Sequence, residues 1–350
     1  MKKVIFISAL AIAAAVSCTK SDIVDTKYGN DVIGFQTYVG RDAQTKASEA
    51  TVGTVNSIGV YGFYTGNAPY DPNNSIANLW ANLNVTKTDG NWTYDANQKK
   101  YWTNATDLYT FLAYSPYGDD NLEVSEGESV KEPMVTYTVP GLDDQIDLLY
   151  ANAPATNGVG GHVNMVRPGD KETLKAVQLK FKHALSRITV KASENVAAYS
   201  YTIKKITISG NFNTSGTLSL ATGEWSDQES TDPEYVFYTG TDVLTSTATS
   251  YASHGYFMPI PTTAGTPTTV TVTVTYSSKF GDVVSNDMTK EVEFTNTFVK
   301  GTAYAINLEF KENTDNPISF NVEEVETWGE DDLVPDTSLN PENGTVVPEA

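Results

Sequence analysis

Cysteine is nearly absent: Cys18 is the only one in 350 residues, so no disulfide can form within the chain and the fold must rest on apolar packing. Histidine is scarce too. His162, His183 and His254 stand apart, with neither His-x-x-x-His spacing nor a cysteine partner, which leaves a zinc or other soft-metal site without support. Basic residues are outnumbered, 23 Lys and Arg against 43 Asp and Glu, for a net charge of −20. So acidic a surface argues against nucleic acid, which is bound through a basic footprint, and against anionic lipid headgroups. Long helical periodicity is missing, as are a Gly-x-Ser-x-Gly elbow and a phosphate-binding glycine loop. Asp143, Asp144 and Asp147 could gather calcium, but without the EF-hand pattern a solvated turn is the favoured reading. No catalytic, cofactor or metal site is expected.

Apolar and polar residues alternate with period two, and β-branched and aromatic residues fill the runs, the pattern of half-buried strands. Ile58–Tyr64, Tyr109–Tyr114, Val135–Val139, Val177–Ala192, Tyr201–Ile208, Val270–Tyr276, Glu291–Thr295 and Tyr304–Phe310 read this way. Turn signals such as Asp89-Gly90-Asn91 and Pro140-Gly141 separate them. The expectation is an all-β protein of antiparallel sandwiches with Greek-key connections. Its length suggests two domains, and the Gly/Pro-rich, charged stretch 158–175 places their boundary near residue 175. Thr19–Asp31 reads as a polar tether, Asp71–Asn78 as a loop, and Gly329–Ala350 as an acidic, proline-broken tail. Trp80, Trp92, Trp102, Trp225 and Trp328 could stack on a sugar, but strand tryptophans usually fill a core.

At the N-terminus, Lys2 and Lys3 precede the apolar run Val4–Val16, and small Ser17 stands before Cys18. The run is too short to span a bilayer and reads as a secretory signal. A signal ending at cysteine resembles the bacterial lipoprotein lipobox. That resemblance implies removal of residues 1–17, lipidation of Cys18 and attachment to the outer membrane through its acyl chains.

Further phrases carry a second resemblance. IGVYGFY (58–64), YTFLAYSPY (109–117), DLLYA (147–151), VQLKFKHALSRITV (177–190), ITISG (206–210) and GTAY (301–304), in this order, resemble the fimbrillin family of Bacteroidales, the lipoprotein-derived subunits of type V pili. The resemblance implies two tandem transthyretin-like β-sandwich domains, here 47–175 and 176–328, after a tether and removable first strand within 18–46 and before the tail 329–350. It also implies that a trypsin-like protease removes the first strand and that a strand from another pilus subunit takes its place, a β-strand exchange. The candidate strand is Val32–Val39, with Ile33, Phe35 and Val39 on one face. Arg41 and Lys46 follow it. Lys46-Ala47 is the preferred cut, because a small residue follows, whereas Asp42 after Arg41 slows trypsin-like cleavage. A donated strand should be long and alternating, yet Ile318–Val322 loses phase at Glu323-Glu324, so stalk, tip and anchor roles stay open. The alternative function is a surface glycan-binding lipoprotein of a carbohydrate-uptake system.

Overall fold

In the computed structural model, residues 31–39, 55–169, 174–196, 198–251, 256–312 and 318–327 are described. Among them the chain is almost wholly β, as the period-two alternation predicts. Seven strands form the first sheet, in the order β1 (Phe35–Val39), β9 (Val177–His183), β8 (Leu149–Ala151), β5 (Leu108–Ser115), β2 (Ser57–Gly66), β3 (Trp80–Thr88) and β4 (Asn91–Thr93). A second sheet runs β13 (Trp225–Thr231), β12 (Phe212–Ser219), β7 (Met134–Thr138), β6 (Leu122–Val124). The third runs β15 (Thr249–Tyr251), β10 (Arg187–Asn195), β19 (Thr302–Lys311), β20 (Ile318–Thr327). The fourth runs β14 (Glu234–Val243), β11 (Tyr199–Gly210), β16 (Thr268–Phe280), β17 (Val283–Val284), with β18 (Met288–Asn296) also paired to β16. Most pairings are antiparallel; β1 with β9 and β10 with β19 are parallel.

The run Val177–Ala192 is two strands in two sheets, not one. Its apolar phase shifts from odd to even positions at Ala184-Leu185, and the chain crosses there from the first sheet to the third. Ala184 and Leu185 are fully buried, the Ala184 carbonyl accepts from Trp225 Nε1 at 2.9 Å, and the Leu185 carbonyl accepts from Gly301 N at 2.9 Å. Strand β9, beyond residue 175, thus lies in the first sheet beside β8. The phase loss at Glu323-Glu324 does not end a strand either. A register shift opposite Ala303-Tyr304 absorbs it, and β20 continues to Thr327.

Successive side chains of a strand point to opposite faces, and the first sheet buries both. Tyr109, Phe111 and Ala113 join Ile58, Val60, Trp80 and Trp102 in one apolar cluster. Leu112 and Tyr114 join Tyr61, Phe63, Val135 and Tyr137 in another. This second cluster continues without a break into Ile188, Ile206, Val272 and Ile306 of the later strands. There the third and fourth sheets pack face to face, with Phe310 of β19 at 4.9 Å from Tyr201 and 5.2 Å from Tyr276 between ring centroids. The early and late strands also share a sheet: β7 pairs with β12 from Met134↔Ser219 to Thr138↔Ser215, and the Thr136 and Thr217 hydroxyls are hydrogen-bonded at 3.0 Å.

Both glycines of IGVYGFY are there for room. A Cβ on Gly59 would overlap the buried Tyr114 ring, and one on Gly62 would lie 2.7 Å from Trp80 Cε3. Tyr114 is tied down by its hydroxyl, which donates to Asn82 Oδ1 at 3.0 Å. Gly59→Ala is therefore expected to destabilise the protein by about 1–3 kcal/mol through overpacking, read as a lower urea midpoint. An unchanged midpoint would show that the ring can move aside.

Candidate functional site: the groove under the first strand

Strand β1 closes one edge of the first sheet in parallel register with β9, from Phe35↔Val177 to Val39↔Phe181. Just before it, residues 31–33 run alongside the segment after β4. Ile33 N donates to Lys100 O at 2.9 Å, Trp102 N donates to Asp31 O at 3.0 Å, and Val32 bridges Tyr101. The two ends of the sheet are thereby drawn together, with β1 and its lead-in held between β9 and residues 100–102.

The side chains follow from this seat. Ile33 is fully buried and Phe35 is 2% exposed. The Phe35 ring lies against Phe111 (5.6 Å, edge-on), Trp80 (5.8 Å, edge-on) and Tyr94 (6.2 Å), geometries favoured by the ring quadrupole. Tyr94 Oη donates to Ile33 O at 2.6 Å, and burial raises its pKa well above the ordinary tyrosine value, so it remains a donor. An ion pair between Arg167 Nη1 and Asp31 Oδ2 at 3.2 Å, both side chains 8% exposed, pins the start of the segment. Thr37 is buried, and its Oγ1 has no hydrogen-bond partner among the described residues.

Of the residues marked by the sequence, the structure brings Ile33 and Phe35 into one groove. Val39 is described by its backbone pairing to Phe181 alone. Cys18, Arg41, Lys46 and Ala47 lie outside the described residues, as do His254 and Trp328. Trp80, Trp92 and Trp102 are buried and present no face for stacking on an external sugar. Trp225 is partly buried in the main cluster. His183, on β9, is buried and satisfied by Asp147, Nδ1 to Oδ1 2.9 Å. Asp147 thus serves a buried pair and not a solvated turn, whereas Asp143 and Asp144 are exposed.

Sequence reasoning assigned no role to His162, which lies fully buried against this sheet. Its Nδ1 is 2.6 Å from Phe111 O, while Nε2 accepts from Ala153 N at 3.1 Å. This arrangement fits the neutral ring, with the proton on Nδ1. Burial, reinforced by Lys180 and Lys182, lowers its pKa to about 4. His162 fastens residues 153–166 across the sheet, next to the wall that faces Phe35.

The fold has a solved counterpart. A fimbrial protein from Bacteroides vulgatus is 19% identical, with a TM-score of 0.64 over 84% of this chain and 99% of its own. A protein named as a cell adhesion protein from Bacteroides ovatus is 17% identical, with a TM-score of 0.47 over 86% of this chain and 98% of its own. No curated protein matches. The profile described as fimbrillin-like matches residues 45–328, and the chain belongs to that fimbrillin-like family.

Proposed function

We propose that this chain is a fimbrial adhesive subunit, exported as a lipoprotein through Cys18 and made ready for assembly by proteolysis at Lys46-Ala47. Family membership makes it a structural protein of the cell surface and not an enzyme. The observation that carries the assembly step is the seat of Phe35. A short edge strand fills an aromatic groove, and its removal would bare the β9 backbone together with Trp80, Tyr94 and Phe111. Such an edge recruits a replacement strand, with ladder hydrogen bonds supplying affinity and alternate side chains supplying register.

Two features make β1 a replaceable occupant. Its ladder is parallel, the slightly less stable arrangement per residue. The unpartnered Thr37 hydroxyl costs roughly 1–3 kcal/mol, which an incoming strand with an aliphatic residue at that place avoids. Arg41 and Lys46 fall between the end of β1 at Val39 and the next described residue, Val55.

Under this reading the assembled form begins at Ala47 and has lost both Cys18 and β1. Arg41→Ala combined with Lys46→Ala is expected to remain monomeric and membrane-bound, since single replacement would divert cutting to the other site. N-terminal sequencing of assembled filaments checks it. Filaments whose subunits still begin at Cys18 would rule out activation by strand removal.

A further inference from the structure

We propose that the polar cleft on β3, which borders the Phe35 groove at Tyr94, is a binding site for a neutral saccharide. The cleft encloses about 550 Å³ and is lined by Asn82, Asn84, Thr86, Thr93, Gln98 and Tyr117, with Val32 along one side; its volume lies within the range of small-ligand sites. Asn84 and Thr86 are exposed, on alternate positions of β3 whose intervening residues Leu83 and Val85 are buried. The floor is therefore a rigid strand and the polar row is fixed by its register. Asn82 holds the left-handed backbone conformation, φ 71°, and its Oδ1 is held by Tyr114 Oη at 3.0 Å. The Tyr117 ring stacks on Tyr114 at 6.4 Å, with 29° between planes.

The lining selects the ligand chemistry. Asp95 and Lys99 are the charged residues that line the cleft, and Glu126 stands behind Asn82, its Oε1 3.4 Å from Asn82 Nδ2, so an anion meets no net positive charge. Asp95 Oδ1 already accepts from Asn97 N at 2.8 Å, and no metal-holding group of three His, Cys, Asp or Glu exists among the described residues. Apolar side chains are too few for a lipid or a flat hydrophobic ligand. What remains are the amides of Asn84 and Gln98, each both donor and acceptor, beside that of Asn82, which Tyr114 Oη and Glu126 Oε1 already engage, hydroxyls with the same double capacity, and the rings of Tyr94 and Tyr117. These match a sugar, whose hydroxyls donate and accept and whose C–H face packs on an aromatic ring.

The test is titration of the full chain with galactose, mannose, N-acetylglucosamine and lactose, followed by calorimetry. Saturable binding is expected for at least one of the four. Asn84→Ala combined with Gln98→Ala should weaken it by about tenfold without moving the melting temperature. Should that pair lower the melting temperature, Thr86→Val alone should still weaken binding about threefold. Sialyllactose, which adds a carboxylate to lactose, should bind no more tightly than lactose. The proposal is overturned if no neutral sugar saturates up to roughly 50 mM, if the variants bind like the parent, or if the acidic sugar is preferred.

Discussion

Phe35→Ala should remove about 3–5 kcal/mol of stability, the largest effect expected from any change in β1. The ring is 2% exposed and touches three aromatic walls, Trp80, Tyr94 and Phe111. Trp80 and Phe111 stand on β3 and β5, strands paired on both sides, so they cannot collapse into the space vacated. Urea denaturation of the full chain gives the measurement. Hydrogen exchange adds the location: the amides of β9 that face β1 should lose protection before those of β5. A loss below about 1 kcal/mol would mean that the groove does not depend on its occupant, and the strand-removal reading would lose its physical basis.

Acid should weaken the same half of the molecule through His162. The folded-state pKa is lowered, to about 4, against an ordinary value near 6.5. The unfolded chain therefore takes up a proton that the folded chain refuses. The resulting stability is fully present above pH 6.5 and is lost as pH falls towards 4, by about 3 kcal/mol in all. Protonation would set an N–H at Nε2 against the Ala153 amide that now donates to it. Many carboxylates titrate at the lower end of this window, so the comparison is with His162→Gln, whose stability should fall less between pH 7 and pH 4 by that amount. Parallel pH curves for the two proteins would refute the assignment.

Runs of β-branched and aromatic residues were enough to read the all-β class and the central strands: β9 and β16 alternate because one face of each is packed, whereas β2 and β5, buried on both faces, read as near-continuous apolar runs. Alternation was enough for Phe35 as well, since the spacing of Ile33 and Phe35 marks one face. Short or polar strands such as β6 and β13 carried too weak a pattern, being held by their partners more than by their own burial. The break within Val177–Ala192 did leave a trace, the adjacent apolar pair Ala184-Leu185, where a continuous strand would keep its phase. The parallel pairing of β1 with β9 and the Asp31–Arg167 contact across 136 positions are products of tertiary closure, and no local pattern encodes them. The same holds for His162: its local sequence carries no sign of burial, which comes from its contact with the Phe111 carbonyl.

The ladder between β7 and β12 bears on how this chain would behave under load. Five consecutive residue pairs and an unbroken apolar cluster tie the early strands to the late ones, where many two-part proteins have only a flexible linker. Bending one part against the other would have to shear hydrogen bonds and expose core at the same moment. Were the chain built into a filament and drawn taut, its early and late strands would carry the load as one unit, and compliance would fall to the joints between neighbours.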